Sequence, residues 1–290
     1  MKKVFVTGAT GNVGLEVIRS LHRLHPQLDI VAGVQDLEED PQKLVGYNIG
    51  FKKFDFTDLA TYRPALDGCD ILFLLRPPQI SEVKKYFRPL IGIAKDSNVQ
   101  HIVFLSVQGV EKSRVIPHHK IEQLIVASKI PYTFLRPAYF MQNFTTTLRS
   151  DLVNHHRIFL PAGQAKFTLI DVRDVGAVAT EIIVDTAPHL DKSYELTSHE
   201  KLTFQEMAVQ LNVGLGLPID YQSPTLLHFF LTKRKEKIPV MLILVMIMLH
   251  YLPRFQQPPA TTEWVEKITG WPPTTFEQFI NDYKASLTKG

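Results

Sequence analysis

Cysteine is almost absent from this chain, with Cys69 the only one in 290 residues. A single thiol excludes an intramolecular disulfide and any cysteine-cluster zinc or iron–sulfur site, and it fits a reducing, cytoplasmic setting. Charge of one sign is scarce as well. Lysine and arginine total 32 against 29 acidic residues, a net +3 with eleven histidines neutral, and the one basic run is Lys233-Arg234-Lys235. Such a bias excludes a nucleic-acid binder. An export signal is not expected, because Val4-Phe5-Val6 is broken at once by Thr7-Gly8, far short of the roughly 7–15 residues of a signal core. Long apolar runs are missing with one exception. Val240–Leu249 is unbroken, and Ile238–Leu252 is interrupted only by Pro239, His250 and Tyr251. A span needs about 20 residues, so a buried or interface helix is expected there and not a membrane span. A membrane-surface anchor beside the basic run is the lesser reading, since the run has little polar face of its own.

What is present is an ordinary globular balance, 45% hydrophobic and 21% charged, with no repeat and no Gly-, Ser- or Pro-rich linker. Six short apolar segments read as strands: 3–7, 29–34, 51–56, 70–75, 101–107 and 131–136. They do not alternate polar with apolar, as expected of parallel strands covered on both faces. Helical patterns lie between them, one presenting Val17, Ile18, Leu21 and Leu24, another Val83, Phe87, Leu90, Ile91 and Ala94. A third runs from about His118 to Ser128 with Ile121, Leu124 and Ile125 on one face. Repeated strand–helix–strand order predicts an α/β fold with a doubly wound parallel sheet. Residues 1–150 are therefore expected to form a dinucleotide-binding Rossmann domain. Residues 151–290 are expected to form a smaller lobe that completes the sheet and makes the substrate cleft. In that lobe an apolar helix is expected over Val175–Val184, and Thr203…Glu206 and Thr274…Glu277 both have the capping-box spacing of a helix start.

The strongest chemical signal is Thr7-Gly8-Ala9-Thr10-Gly11-Asn12-Val13-Gly14, a glycine-rich turn between the first strand and the first helix. Gly8 permits a sharp exit from the strand, Gly11 lets backbone approach a pyrophosphate, and Gly14 lets the helix pack on the sheet. The N–H groups of the turn and Val13, with Thr10 and Asn12 side chains, favour that anion. Gln35-Asp36 ends the second strand 22 residues after Gly14, where a carboxylate can bind the adenosine ribose and repel a 2′-phosphate, which tilts the reading slightly toward NAD over NADP. Alternatively Asp36 only caps the acidic loop that follows. Asp55-Phe56 ends the third strand, where a carboxylate can meet the adenine amino group or cap the next helix.

These residues resemble the short-chain dehydrogenase/reductase superfamily, whose opening signature T-G-x-x-G-x-x-G matches Thr7 to Gly14. The nearer likeness is to its atypical NmrA-like branch, which includes NAD(P)H-dependent quinone reductases, azoreductase-like enzymes and redox-sensing regulators. It is carried by Leu74-Leu75-Arg76-Pro77-Pro78, by Phe104-Leu-Ser106-Val and, most specifically, by Ile130 to Phe144, with Arg136-Pro137-Ala-Tyr139-Phe140 at its centre. Ile170-Asp171-Val-Arg-Asp174 and Thr269-Gly270-Trp-Pro-Pro extend it across nearly the whole chain. The resemblance implies that Leu75, Arg76 and Pro137 border the cofactor and that Ser106 takes the serine position of the catalytic signature. It also implies that Lys120 holds the nicotinamide ribose. The superfamily's Tyr-x-x-x-Lys is broken, because Ile116 stands where the tyrosine would be and cannot donate a proton. Tyr139 or His119 could donate in its place, or water could protonate a quinone product.

Tyr139, Phe140 and Phe144, after the sixth strand, are expected either to wall a flat aromatic substrate pocket or simply to pack between the lobes. The histidine pairs at 118–119 and 155–156 lack ligand spacing, so no metal is expected. The expected activity is hydride transfer from NAD(P)H to a quinone-like or other flat apolar carbonyl compound. The alternative is a non-catalytic NAD(P) sensor that binds a partner protein. A homo-oligomer is left open.

Overall fold

The computed structural model describes residues 2–114 and 116–288 and divides into two compact units whose chain segments interleave. The first unit takes residues 1–138, 172–196 and 264–272, and the second takes 139–171, 197–263 and 273–290. The division expected at residue 150 is thus replaced by several crossings. The reason lies in two elements of the later chain. Strand Lys192–Leu196 pairs in parallel with the sixth strand, and helix Val172–Val184 packs along the first helix, so both belong to the first unit.

The first unit is built on strands β1 (Lys3–Val6), β2 (Asp29–Val34), β3 (Gly50–Lys53), β4 (Ile71–Leu75), β5 (His101–Leu105) and β6 (Tyr132–Pro137). With Lys192–Leu196 they form a seven-stranded, wholly parallel sheet in which the order runs from Lys192–Leu196 through β6, β5, β4, β1 and β2 to β3. The order reverses between β1 and β4, the switch point at which such sheets bind ligands. Helices α1 (Asn12–Leu24), α2 (Tyr62–Leu66), α3 (Val83–Asp96) and α4 (Pro117–Ser128) supply the crossovers. The buried strands are Val-, Ile-, Leu- and Phe-rich because both faces are covered. Gly176 on helix Val172–Val184 lets that helix meet α1 closely, for a Cβ there would lie 2.8 Å from the Glu16 carbonyl oxygen. Cys69 is buried beside β4, its Sγ 3.0 Å from the Ile71 carbonyl oxygen, and burial pushes its thiol up to about 11.

The second unit has its own apolar core, in which Phe144, Phe204, Phe276 and Phe279 are fully buried. Two capping boxes start its helices. Thr203 and Glu206 form one as expected, but the other is Thr275 with Gln278, one residue beyond the expected Thr274 and Glu277. A buried ionic cluster fixes helix Leu226–Lys235. The Asp151 carboxylate takes Arg157 Nε at 2.9 Å and the Lys233 ammonium, which also reaches Glu236 at 2.8 Å. The apolar run forms helix Val240–Tyr251, but only Ile243, Met246 and His250 are buried. Of the two expectations for this run, a buried helix or an interface helix, the burial pattern does not fit the first. No helix among the described residues is long and apolar enough to cross a membrane.

Candidate functional site

β1 emerges at the switch point, and Thr7 ties it to its neighbour. Its hydroxyl donates to the Phe73 carbonyl at 3.2 Å and accepts from the Leu75 N–H at 3.0 Å. Gly8 then takes φ +60°, and a Cβ there would fall 2.7 Å from the Leu75 side chain. The Gly11 N–H returns to the Gly8 carbonyl at 3.0 Å, closing the turn. Gly14 is the tightest position, since its Cβ would lie 2.2 Å from the Gly8 carbonyl oxygen. These contacts aim the start of α1 outward. Gly11 is its N-cap with no side-chain cap among the described residues, and no acidic side chain stands in its first turn. The orphan N–H groups and the positive end of the helix dipole are left for an anion, and Gly11 and Asn12 are exposed there. Thr10 is half-buried in the same turn, whereas the Val13 side chain is buried. The turn therefore has the form that a pyrophosphate fits.

Ser106 follows β5 with its N–H on the Leu135 carbonyl at 2.7 Å. Its side chain is 2% exposed and its Oγ has no hydrogen-bond partner among the described residues. An orphaned buried hydroxyl is uncommon, because the desolvation it suffers is uncompensated, and it marks a place where a ligand group would be welcome. Lys120 is exposed on α4, and Pro137 ends β6 with its carbonyl accepting from Gln108 at 3.0 Å.

Other expected cofactor residues are bound up in local structure. The Asp36 Oδ1 accepts the N–H groups of Glu38 at 2.6 Å and Glu39 at 2.9 Å, which hold its carboxyl below the usual range. It therefore acts as the loop cap. The Gln35 and Asp36 N–H groups both donate to Asp40. Asp55 accepts from Thr57 through N–H and hydroxyl at 2.7 and 2.8 Å, and the nearby helical turn is capped by Asp58 instead. Phe56 is packed into the core against Phe54 and Phe87. Arg76 donates through Nη1 to the carbonyls of Pro77, Pro78 and Ile80, and its Nε faces His118 Nε2 at 3.4 Å. The structure thus employs Arg76 to shape the proline turn. Burial, with help from Arg76, lowers His118 to about 3.

The aromatic residues after β6 belong to the second unit and divide there. Phe144 is fully buried against Phe204 and Phe276, so it is core and not a pocket wall. Phe140 is half-buried in a two-residue strand. Tyr139 stands in a ring box of Phe167, Phe204 and His250, with centroids 5.7, 5.8 and 5.6 Å away. The His250 Nδ1 lies 2.6 Å from the Met246 carbonyl, which can only accept, so Nδ1 carries the proton. Nε2 is then the acceptor, and the Tyr139 hydroxyl donates to it at 3.1 Å. Burial raises Tyr139 and lowers His250 to about 4, so both are neutral near pH 7. His250 was not among the expected site residues. Its one signal is that it is the first polar side chain after ten apolar ones.

Comparison with known proteins agrees with this fold. The family model described as "NmrA-like family" matches residues 1–255. Prestalk A differentiation protein A of Dictyostelium discoideum is 29% identical over 281 residues, covering 96% of this chain and 91% of that protein. NAD(P)H azoreductase of Xenophilus azovorans is 27% identical, with 98% and 99% covered. Among solved structures, the NADPH-dependent quinone oxidoreductase of Escherichia coli complexed with NADPH superposes with a TM-score of 0.84 at 25% identity, covering 96% and 99%.

Proposed function

From the premise that the chain belongs to the NmrA-like family, we propose that it is an NAD(P)H-dependent oxidoreductase acting on quinone-like or other flat, apolar carbonyl compounds. The observation that carries this reading is the uncapped start of α1 behind the Gly8–Gly14 turn, which suits a pyrophosphate. A bound dinucleotide supplies the hydride through its nicotinamide. The chain's own residues bind, orient and protonate. The turn from Gly8 to Gly14 holds the phosphates by backbone N–H groups. Ser106 offers a buried hydroxyl without a partner among the described residues, and Lys120 offers a cation for the ribose hydroxyls. With Ile116 in the usual tyrosine position, Tyr139 is the proton donor to the product oxygen and is reprotonated from solvent, while neutral His250 positions its hydroxyl through Nε2. Relatives that are named as azoreductase and quinone oxidoreductase support the substrate class.

Because Asp36 is committed to its loop, a preference for NAD does not follow from its carboxylate. The experiment is calorimetric titration with the four nicotinamide dinucleotides, followed by NADH and NADPH oxidation against a quinone and aldehyde panel. Binding with turnover is the expected result. Binding without turnover on any member would favour the sensor reading, to which Ile116 and a relative named for differentiation lend weight.

A further inference from the structure

Helix Val240–Tyr251 presents its buried positions, 243, 246 and 250, within a wedge of about 60° at about 100° per residue. Positions 240, 241, 242, 244, 245, 248 and 249 are all exposed and all apolar, and they sweep an arc of about 200°. Met241 is 72% exposed, and the apolar surface continues beyond the helix through Leu252 and Phe255, the latter also 72% exposed. On the adjoining helix Leu226–Lys235, Leu227 and Leu231 are exposed one turn apart. Contiguous apolar surface of this kind marks an interaction site.

Two further observations select the occupant. First, cations bracket the ridge: Arg234, Lys235 and Lys237 precede it, Arg254 follows it, and no acidic residue occurs between positions 237 and 262. Lys235 and Lys237 are exposed, whereas the nearby Glu236 is engaged by Lys233 and Arg157. Second, the arc is wider than a facing helix covers, since a packed helix buries a stripe of roughly 100°. A second copy laid against this ridge would leave about half of it wet, while an acyl-chain boundary closes around all of it. At about 18 Å for twelve residues the helix is too short to cross a hydrocarbon core of about 30 Å and so would lie in the plane of the interface. A free peptide of this sequence would lack the polar face that such a helix requires, but the body of the second unit covers that side through Ile243, Met246 and His250.

We infer that helix Val240–Tyr251 is a monotopic docking element that inserts its exposed apolar arc into the interface of an anionic lipid bilayer, with Lys235, Lys237 and Arg254 at the headgroups. The inference is independent of the reaction that the protein catalyses.

The test is co-sedimentation of the full chain with vesicles of phosphatidylcholine alone and of phosphatidylcholine mixed with phosphatidylserine. Binding to the mixed vesicles is expected. The double variant Leu244→Ser/Met248→Ser should lower partitioning at least tenfold with an unchanged circular dichroism spectrum. Should that variant fail to fold, Lys235→Glu/Lys237→Glu tests the same point at exposed positions and should lower binding to anionic vesicles at least tenfold. Met248→Cys, labelled with an environment-sensitive fluorophore, should brighten and shift to the blue on vesicle addition, and Cys69 is too buried to compete for the label. No binding to either vesicle overturns the inference. So does a dimer in sedimentation velocity that Leu244→Ser/Met248→Ser dissolves while wild type ignores lipid, for the ridge would then be a subunit interface.

Discussion

The two units approach recognition with different materials. In the first, the candidate site is backbone: N–H groups at the mouth of α1, aimed by glycines whose missing Cβ atoms are filled by neighbours. In the second, it is side chain: a tyrosine hydroxyl held on a neutral histidine inside a box of rings. A backbone site tolerates nearly any change of chemistry but no added bulk. A side-chain site tolerates bulk that keeps its shape but not the loss of one polar atom. The first thus rests mainly on backbone dipoles, with Lys120 as an added cation, whereas the second depends on two titratable side chains.

The sharpest way to break the backbone half is Gly14→Val. Its Cβ would press on the Gly8 carbonyl oxygen, so dinucleotide affinity by calorimetry should fall at least a hundredfold, about 3 kcal/mol. In the second unit, Asp151→Asn removes the charge that Lys233 and Arg157 share. Glu236 then remains as the carboxylate facing both the buried Lys233 and the partly buried Arg157, so the change should cost about 1–3 kcal/mol in chemical denaturation. Tyr139→Phe keeps the ring box and deletes only the hydroxyl. It should lower kcat at least about tenfold while dinucleotide affinity changes less than twofold; an unchanged kcat would show that water protonates the product.

Acid separates the units less. His250 and His101 are each lowered by burial to about 4, from an ordinary 6.5, so the unfolded chain binds their protons first. Stability should therefore fall as pH drops through 6.5 toward 4. Each contributes on the order of 1–2 kcal/mol between pH 7 and 5, and His250→Gln should flatten part of that slope. The smallest effect belongs to Asp36→Ala. Because its carboxylate caps a loop, the ratio of NADH to NADPH affinity should move by only a few-fold.

Legibility followed the same divide. β1, β2, β4, β5, β6 and the glycine turn were readable because a strand covered on both faces is apolar, and because a turn that forbids a Cβ must be written in glycine, whereas β3 is a half-exposed edge strand that carries Lys52 and Lys53. Strand Lys192–Leu196 was not read. It lies at the sheet edge, where Lys192, Ser193 and Glu195 meet solvent and erase the apolar run. The capping box at 275 was missed by one residue, since Thr274…Glu277 and Thr275…Gln278 satisfy the same spacing and only the fold chooses between them. Asp36 carried two readings that differ only in where a carboxylate turns. His250 was hidden for another reason, because its function comes from Tyr139, 111 positions away. No local pattern encodes such a pair. The apolar run was expected as a buried or interface helix from its length, and length does not say which side of a helix finds a neighbour.

Cys69 has a consequence for the chemistry proposed. Quinones are soft electrophiles that arylate thiolates, and an enzyme handling them risks being consumed by its own substrate. Here the only sulfhydryl is sealed beside β4 and its ionisation is suppressed to about pH 11. The thiolate fraction at neutral pH is thus very small and out of reach. Apart from amines and imidazoles, the surface offers a Michael acceptor little to attack, and the thiol, the softest nucleophile in the chain, is withheld.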